Sequence, residues 1–238
     1  MSGIADIEAV VLAGGLGTRL RSAVPDRPKV LALVRGRPFL AHVLDRLEAA
    51  GVRRVVLGTG YCADRVREAI GDRHGRTAIA YSHETSPLGT GGAVRLAAGA
   101  TASDPVLVLN GDSHCEADLP AFAAFHRACG AVGSLMLTRV SDTGRYGRVD
   151  LEDAGRVTAF REKGDAAGPG WINAGIYLLS RGLLDAVPEG RAVSLEREVF
   201  PLWAARGGLF GLRGGGRFLD IGTPESYREA EEFFGASQ

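Results

Sequence analysis

A short apolar run, Ile7 to Ala13, ends in Gly14-Gly15-Leu16-Gly17-Thr18-Arg19-Leu20, and Pro28-Lys29 begins nine residues after Arg19. A glycine-rich turn at the end of a strand lets backbone N–H groups approach phosphate oxygens closely. Ala13, Gly14, Gly15, Gly17 and Thr18 are therefore candidate phosphate-cradling positions. Arg19 and Lys29 are the cations that would neutralise a triphosphate held there. Two other phosphate motifs fail on the residues: the dinucleotide fingerprint needs a third glycine where Leu20 stands, and a P-loop needs a Gly-Lys-Ser/Thr that the chain lacks.

Two carboxylates form a second candidate constellation. Asp112 ends the run VLVLNGD and Asp220 ends RFLD, 108 residues later. Each follows an apolar strand, so both can reach one sheet edge and share a cation. Magnesium takes oxygen ligands and commonly uses one or two protein carboxylates plus substrate phosphates. Taken singly, each aspartate also reads as a turn-capping residue after a strand.

Positioning these groups falls to an alternation of strand and helix. Ile7–Ala13, Val52–Gly58, Thr77–Ser82 and Val106–Leu109 read as buried strands. Between them Pro38–Ala50, Ala63–Ile70 and Thr90–Ala98 read as amphipathic helices, the first with Phe39, Leu40, Val43, Leu44 and Leu47 on one face. Strand then helix, repeated, implies a mostly parallel sheet covered on both faces, with ligands beyond the carboxyl ends of its strands. Past Asp112 the pattern loosens: Gly133–Val140, Gly147–Leu151, Val157–Arg161 and Ile172–Leu179 read as strands of a small inserted mixed sheet, followed by helices near 195–206 and 224–234.

Composition narrows the function classes. The 238 residues carry 28 basic and 28 acidic side chains, and a formal net charge of zero lacks the basic footprint of a nucleic-acid binder. No apolar run approaches the ~18 residues of a membrane span. The opening MSGIADIEAVVLAGG lacks a basic leader, so a cytoplasmic protein is expected. Three cysteines, Cys62, Cys115 and Cys129, are too few for a disulfide framework. Of the 28 basic residues 26 are arginine, and the two lysines are Lys29 and Lys163. A compact ammonium and a wide planar fork are not interchangeable where space is tight.

Gly-Gly-Leu-Gly-Thr-Arg-Leu followed by Pro-Lys resembles the signature of the sugar-1-phosphate nucleotidylyltransferases, and the likeness runs nearly to the C-terminus. Leu88-Gly89-Thr90-Gly91-Gly92-Ala93 looks like that family's nucleoside-binding turn, and Asn110-Gly111-Asp112 like its metal-binding strand end. Tyr146-Gly147 is similar to its sugar-contacting turn and Phe160-Arg161-Glu162-Lys163 to its Glu-Lys pair. Asn173-Ala174-Gly175-Ile176-Tyr177 and Asp220-Ile221-Gly222-Thr223-Pro224 complete the set. The resemblance implies an α/β fold: a single Rossmann-like domain over residues 1–238, with a nucleotide half near 1–112 and a sugar-phosphate half near 113–238. It leans to guanylyltransferases acting on D-glycero-α-D-manno-heptose 1-phosphate, then to those acting on mannose 1-phosphate.

The reaction implied is attack of a sugar 1-phosphate oxygen on the α-phosphorus of a nucleoside triphosphate, with pyrophosphate leaving. Its nucleophile is already anionic, so it needs charge compensation and in-line positioning rather than a general base. By the resemblance, Asp112 and Asp220 hold Mg2+, Lys29 sits by the triphosphate and Lys163 by the sugar phosphate. Glu162 accepts hydrogen bonds from sugar hydroxyls beside Tyr146, Gly147 and Asn173. Glu84 suits guanine, whose N1 and N2 present paired donors, which favours GTP; it also reads as a solvated loop carboxylate. Lys29-Val30 departs from the family's usual proline after that lysine, and the chain stops about eighteen residues after Asp220, too soon for an added C-terminal domain. Two other classes fit less well. A non-catalytic nucleotide-sugar sensor predicts loss of Arg19, Lys29, Asp112 or Asp220, and a metal-dependent glycosyltransferase expects a second acid two residues from Asp112, where His114 stands. His114, Cys115, His126 and Cys129 are zinc-ligand types, but Phe122, Phe125, Ala128 and Cys129 fit an apolar helix face. Oligomeric state is not encoded in any of these patterns.

Overall fold

The computed structural model describes residues 3–15, 17–161 and 168–235. In chain order the nucleotide half comprises β1 (Ala9–Leu12), a short ladder of β2 (Leu33–Val34) and β3 (Arg37–Pro38), α1 (Phe39–Ala49), β4 (Arg54–Thr59), α2 (Ala63–Ile70), β5 (Arg73–His74), β6 (Thr77–His83), α3 (Gly89–Ala98) and β7 (Val106–Asn110). The rest adds β8 (Ser113–Cys115), α4 (Leu119–Cys129), β9 (Gly133–Val140), β10 (Arg148–Leu151), β11 (Val157–Arg161), β12 (Gly170–Leu179) and α5 (Arg181–Asp185). A π-helical turn, Leu195–Val199, then leads into α6 (Phe200–Ala205), β13 (Leu209–Gly215), β14 (Phe218–Asp220) and α7 (Pro224–Gly235).

Eight strands form one sheet in the order β13-β9-β12-β7-β1-β4-β6-β5. β7, β1, β4 and β6 run parallel, as the βα alternation predicts. β12 is antiparallel to both β7 and β9. The inserted sheet expected in the second half is therefore divided. Gly133–Val140 and Ile172–Leu179 extend the main sheet, and only β10 and β11 form a separate two-stranded pair. The reason is burial: β9 and β12 are apolar on both faces, so they need cover on both sides, whereas β10 and β11 alternate with polar residues.

Each central strand divides its side chains between two cores. Val11, Leu57, Leu107 and Leu178 face one side, where α1, α2, α4 and α7 pack through Phe39, Val66, Phe122 and Ala230. Val10, Val56, Val108 and Tyr177 face the other, against Val94 of α3, Leu183 of α5 and Phe200 of α6. At roughly 1.5–3 kcal/mol for each large apolar side chain fully buried, these two layers fix the helices against the sheet. Both cores extend across the two halves of the chain. β1, β4 and β7 end side by side at one edge of the sheet.

Candidate active site

The turn after β1 is shaped by close approach. Ala13 N donates to Gly58 O at 2.7 Å and Gly111 N donates to Leu12 O at 2.9 Å, which ties the ends of β1, β4 and β7 together. A Cβ on Gly14 would stand 2.5 Å from Glu84 Oε1 and 3.0 Å from Gly60 N, and one on Gly111 would stand 2.6 Å from Leu12 O. Gly17 has φ +59° and presses on the root of Lys29, its Cβ position lying 2.9 Å from Lys29 Cβ. Arg19 and Lys29 each ride on a single 3-10 turn, Thr18–Leu20 and Lys29–Leu31, anchored by buried Leu20, Val30 and Leu31.

Two cavities open at this edge. The first, about 610 Å3, is lined by Gly14, Gly15, Glu84, Gly89 and Thr90 from the expected set, and also by Tyr61, His83 and Pro87. Sequence reasoning missed those three: Tyr61 and Pro87 lie on loops and His83 at the last position of β6, none of them within a motif of its own. The second, about 390 Å3, is lined by Arg19, Tyr146, Gly147, Asn173 and Asp220, together with Glu196, which was not foreseen. Lys29, Asn110 and Asp112 line both cavities, so the two chambers meet at these residues. Asn110 Oδ1 is buried at this junction and has no hydrogen-bond partner among the described residues.

Asp112 and Asp220 lie on adjacent backbone segments and both line the second cavity. β14 pairs antiparallel with β8, placing Asp220 opposite Ser113, and Ile221 N donates to Asp112 O at 3.0 Å. Lys29 Nζ contacts Asp112 Oδ2 at 2.7 Å. Arg145 Nη2, Gly222 N and Ser226 Oγ all converge on Asp220 Oδ1, at 2.6, 2.9 and 3.3 Å. Arg19 reaches the same turn, its Nη2 lying 3.7 Å from the Cβ position of Gly222. One oxygen of each carboxylate is thus committed, and among the described residues Asp112 Oδ1 and Asp220 Oδ2 accept no hydrogen bond. Two carboxylates with one uncommitted oxygen each, lining one cavity, fit the sparse protein ligation that magnesium prefers. No cluster of three or more histidine, cysteine or acidic side chains occurs among the described residues.

Several expected residues act behind the walls. Ala13, Gly17, Thr18, Leu88 and Gly111 line neither cavity. Leu88 N instead donates to Glu84 Oε2 at 3.1 Å, holding that carboxylate in the first cavity. The glycines of the Leu88–Ala93 turn have a second purpose: a Cβ on Gly89 would meet Val193 O at 2.5 Å, and one on Gly91 would meet the same atom at 3.1 Å. Val193 N donates to Leu88 O and Gly91 N to Val193 O, both at 2.8 Å, so a strap over 191–195 is clipped onto α3. In the second cavity Asn173 is braced, donating from Nδ2 to Tyr177 OH and accepting from Gly175 N, both at 2.9 Å. Gly175, at φ +72°, permits this bulge, because a Cβ there would stand 2.8 Å from both Asn110 Nδ2 and Ser113 Oγ. Gly147 donates its N–H to Thr143 O at 2.9 Å, while Tyr146 packs edge-on against Phe218. Glu162 and Lys163 lie outside the described residues.

The zinc-type residues are dispersed, Cys115 and His126 buried and His114 and Cys129 partly exposed. His126 shares a 2.8 Å hydrogen bond with Ser134, and burial holds its imidazole below the usual histidine range. His114 packs against Phe233 and Phe234, and burial beside Arg46 pushes it down to about 4. Burial pushes the Cys115 thiol up to about 11.

Comparison with known proteins gives a consistent picture. The family model described as Nucleotidyl transferase matches residues 8–237. A mannose-1-phosphate guanylyltransferase of Mycobacterium tuberculosis is 41% identical over 224 residues, covering 93% of this chain but 62% of that protein. The chain spans a similar share, about 62%, of several other relatives it matches. A D-glycero-alpha-D-manno-heptose 1-phosphate guanylyltransferase of Aneurinibacillus thermoaerophilus is 34% identical over 226 residues, covering 95% of this chain and 97% of that protein. The crystal structure of HddC from Yersinia pseudotuberculosis, complexed with GMP-PN, superposes with a TM-score of 0.84 at 34% identity, over 96% of this chain and 99% of that one.

Proposed function

The chain belongs to the nucleotidyl transferase family, and we propose that it transfers a guanylyl group from GTP to a sugar 1-phosphate, releasing pyrophosphate. The observation that carries this reading is the shared wall: two cavities, one suited to a nucleoside triphosphate and one to a sugar phosphate, meet at Lys29, Asn110 and Asp112. Two polyanions that must collide need cations where they touch, and Lys29 stands at that point with Arg19 beside it. A sugar phosphate oxygen attacks the α-phosphorus, a new P–O bond forms, and the bond to the β-phosphate oxygen breaks. No proton has to be removed from the nucleophile. Asp112 and Asp220 are the residues that would hold a magnesium ion, which when bound would offset phosphate charge and orient the triphosphate. Lys29 and Arg19 compensate the charge that builds on the phosphates in the transition state.

Glu84, fixed by Leu88 N beside Gly14 and Gly60, is the candidate acceptor for guanine N1 and N2. Lys163 and Glu162 are proposed to take the sugar phosphate and a sugar hydroxyl. The whole of residues 1–238 acts as one catalytic domain on this reading, with the nucleotide half near 1–112 and the sugar half near 113–238. Among the described residues no helix is long and apolar enough to cross a membrane, and a GTP donor suits the cytoplasm. D-glycero-α-D-manno-heptose 1-phosphate is the proposed acceptor, supported by the relative whose whole length the chain matches. Mannose 1-phosphate is the second reading, supported by the 41% identical relative.

The test is pyrophosphate release from five nucleoside triphosphates, each paired with heptose, mannose and glucose 1-phosphates in the presence of magnesium. Turnover of GTP with heptose or mannose 1-phosphate is expected. Faster turnover with UTP or dTTP overturns the guanine assignment, and no turnover with any pair overturns the enzyme.

A further inference from the structure

Glu196 lines the sugar-side cavity and has no part in the reading above. It sits on the π-helical turn Leu195–Val199, whose first and last residues are buried and hold the backbone in place. Such turns are rare and are found disproportionately at functional sites. The carboxylate is cradled only by hydroxyls. Thr90 Oγ1 and Ser194 Oγ donate to Oε2 at 2.8 and 3.0 Å, and the buried Tyr177 OH approaches Oε1 at 3.4 Å. No lysine, arginine or histidine among the described residues pairs with it.

A half-buried carboxylate without a cation is costly unless its lone pairs are satisfied. Two oxygens offer about four acceptor sites. Oε2 is filled, whereas Oε1 has one long contact and faces unfinished business. Three neutral donors already surround the group, and the space beside it belongs to a cavity also lined by Tyr146, Gly147, Asn173 and Asp220. An ammonium or a metal ion would be matched by more acids; a polyol is matched by an acceptor of this kind. Thr90 adds a connection across the site. Its hydroxyl accepts from Leu195 N at 2.9 Å while the residue itself lines the nucleotide cavity, so Glu196 is wired to the turn that seats the nucleotide.

We propose that Glu196 is a specificity-determining acceptor for a ring hydroxyl of the sugar 1-phosphate, held in register by Thr90, Ser194 and Tyr177. This rests on the guanylyltransfer reading, and the experiment separates the two. Parent, Glu196→Ala and Glu196→Gln proteins are assayed with GTP and whichever of heptose or mannose 1-phosphate the parent turns over, together with the monodeoxy counterparts of that sugar. Glu196→Ala is expected to lower kcat/KM for the sugar 1-phosphate about 10- to 100-fold, the scale of a lost hydrogen bond to a charged group, with KM for GTP within about threefold of the parent. Glu196→Gln, which keeps the shape, falls between. One monodeoxy sugar that the parent turns over at least about tenfold worse is then used by Glu196→Ala as well as the full sugar is. Unchanged discrimination among the deoxy sugars in both variants overturns the proposal. So does a GTP KM that rises as steeply as the sugar KM, which is what a mere staple between Thr90 and Tyr177 would produce. Failure of the parent to form any GDP-sugar overturns the underlying reading and this inference with it.

Discussion

Lys29 is the position where the arrangement is most exposed to refutation. Its side chain is 11% exposed, with the ammonium 2.7 Å from Asp112 Oδ2, and it lies on the wall that both cavities share. Removing it by Lys29→Met deletes the only cation that, among the described residues, lines both cavities. Losing a preorganised donor of this type costs roughly 2–4 kcal/mol of transition-state stabilisation, or about 30- to 1000-fold in turnover. Lys29→Arg keeps the charge but not the fit. The Cβ position of Gly17 lies 2.9 Å from Lys29 Cβ, so the side chain's root cannot retreat, and at its tip a planar fork must replace one nitrogen. A loss of at least about tenfold is expected for that variant as well. Folding should be little affected, because Asp112 is 40% exposed and water can solvate it once the ion pair is gone. A pair so placed contributes roughly 1 kcal/mol or less, a Tm shift of about 2–4 °C at most. The assay is pyrophosphate release at saturating GTP and sugar 1-phosphate, beside a thermal melt of each variant. Turnover of both variants within threefold of the parent would refute the reasoning, as would a melt that falls in step with activity.

Four further outcomes follow from the structure. Gly14→Ala places a methyl 2.5 Å from Glu84 Oε1 and 3.0 Å from Gly60 N; the carboxylate can swing but the backbone cannot. KM for GTP should rise about tenfold or more while KM for the sugar 1-phosphate stays put, with an overpacking cost of roughly 1–3 kcal/mol read in a urea titration. Chelation by EDTA should abolish turnover and added Mg2+ restore it. Asp220→Asn should weaken Mn2+ binding, followed by electron paramagnetic resonance, by about tenfold or more; undiminished binding would remove Asp220 from the metal site. Burial lowers the His126 imidazole below its unfolded value, so the unfolded chain binds more protons as pH drops. That stability is complete above about pH 6.5 and is lost as pH falls through the folded value. His126→Gln should flatten the dependence of Tm on pH between about 7 and 5 without abolishing it, since His114 shifts the same way.

How much of this was legible in the sequence can be argued from particular segments. Ala63–Ile70 is a helix over the expected residues, and α1 and α3 begin and end within a residue of expectation. Their apolar spacing is local, and a local pattern survives in a string of letters. The same is true of the turn after β1, where Gly14 and Gly17 answer contacts from Glu84 and Lys29 that only a glycine tolerates. Sequence reasoning placed Gly133–Val140 and Ile172–Leu179 in an inserted sheet because glycine and aspartate turns break the alternation around them. Those turns surround strands that nonetheless join the main sheet, since Leu135, Leu137, Tyr177 and Leu179 must be covered on a face that only it offers.

The edge of a parallel sheet is a different matter, because it is assembled by pairings between segments that share no local signal. Asp220 was found through its motif, yet what brings it to Asp112 is the β8–β14 ladder, which is three residues long and carries no periodicity. Glu196 had no motif to find it by. In Leu195-Glu196-Arg197-Glu198 it reads as one more solvated charge on a helix, which is what Glu198 is, exposed and paired with Arg191. What separates two glutamates two residues apart is the strap over 191–195, whose clip to Leu88 and Gly91 turns one of them inward under Thr90. The glycines of that turn had a reading as nucleotide contacts; Gly89 and Gly91 also make room for Val193 O. A residue's chemistry can thus be read from its type, but whether it faces ligand or solvent is decided by which remote backbone lies against it.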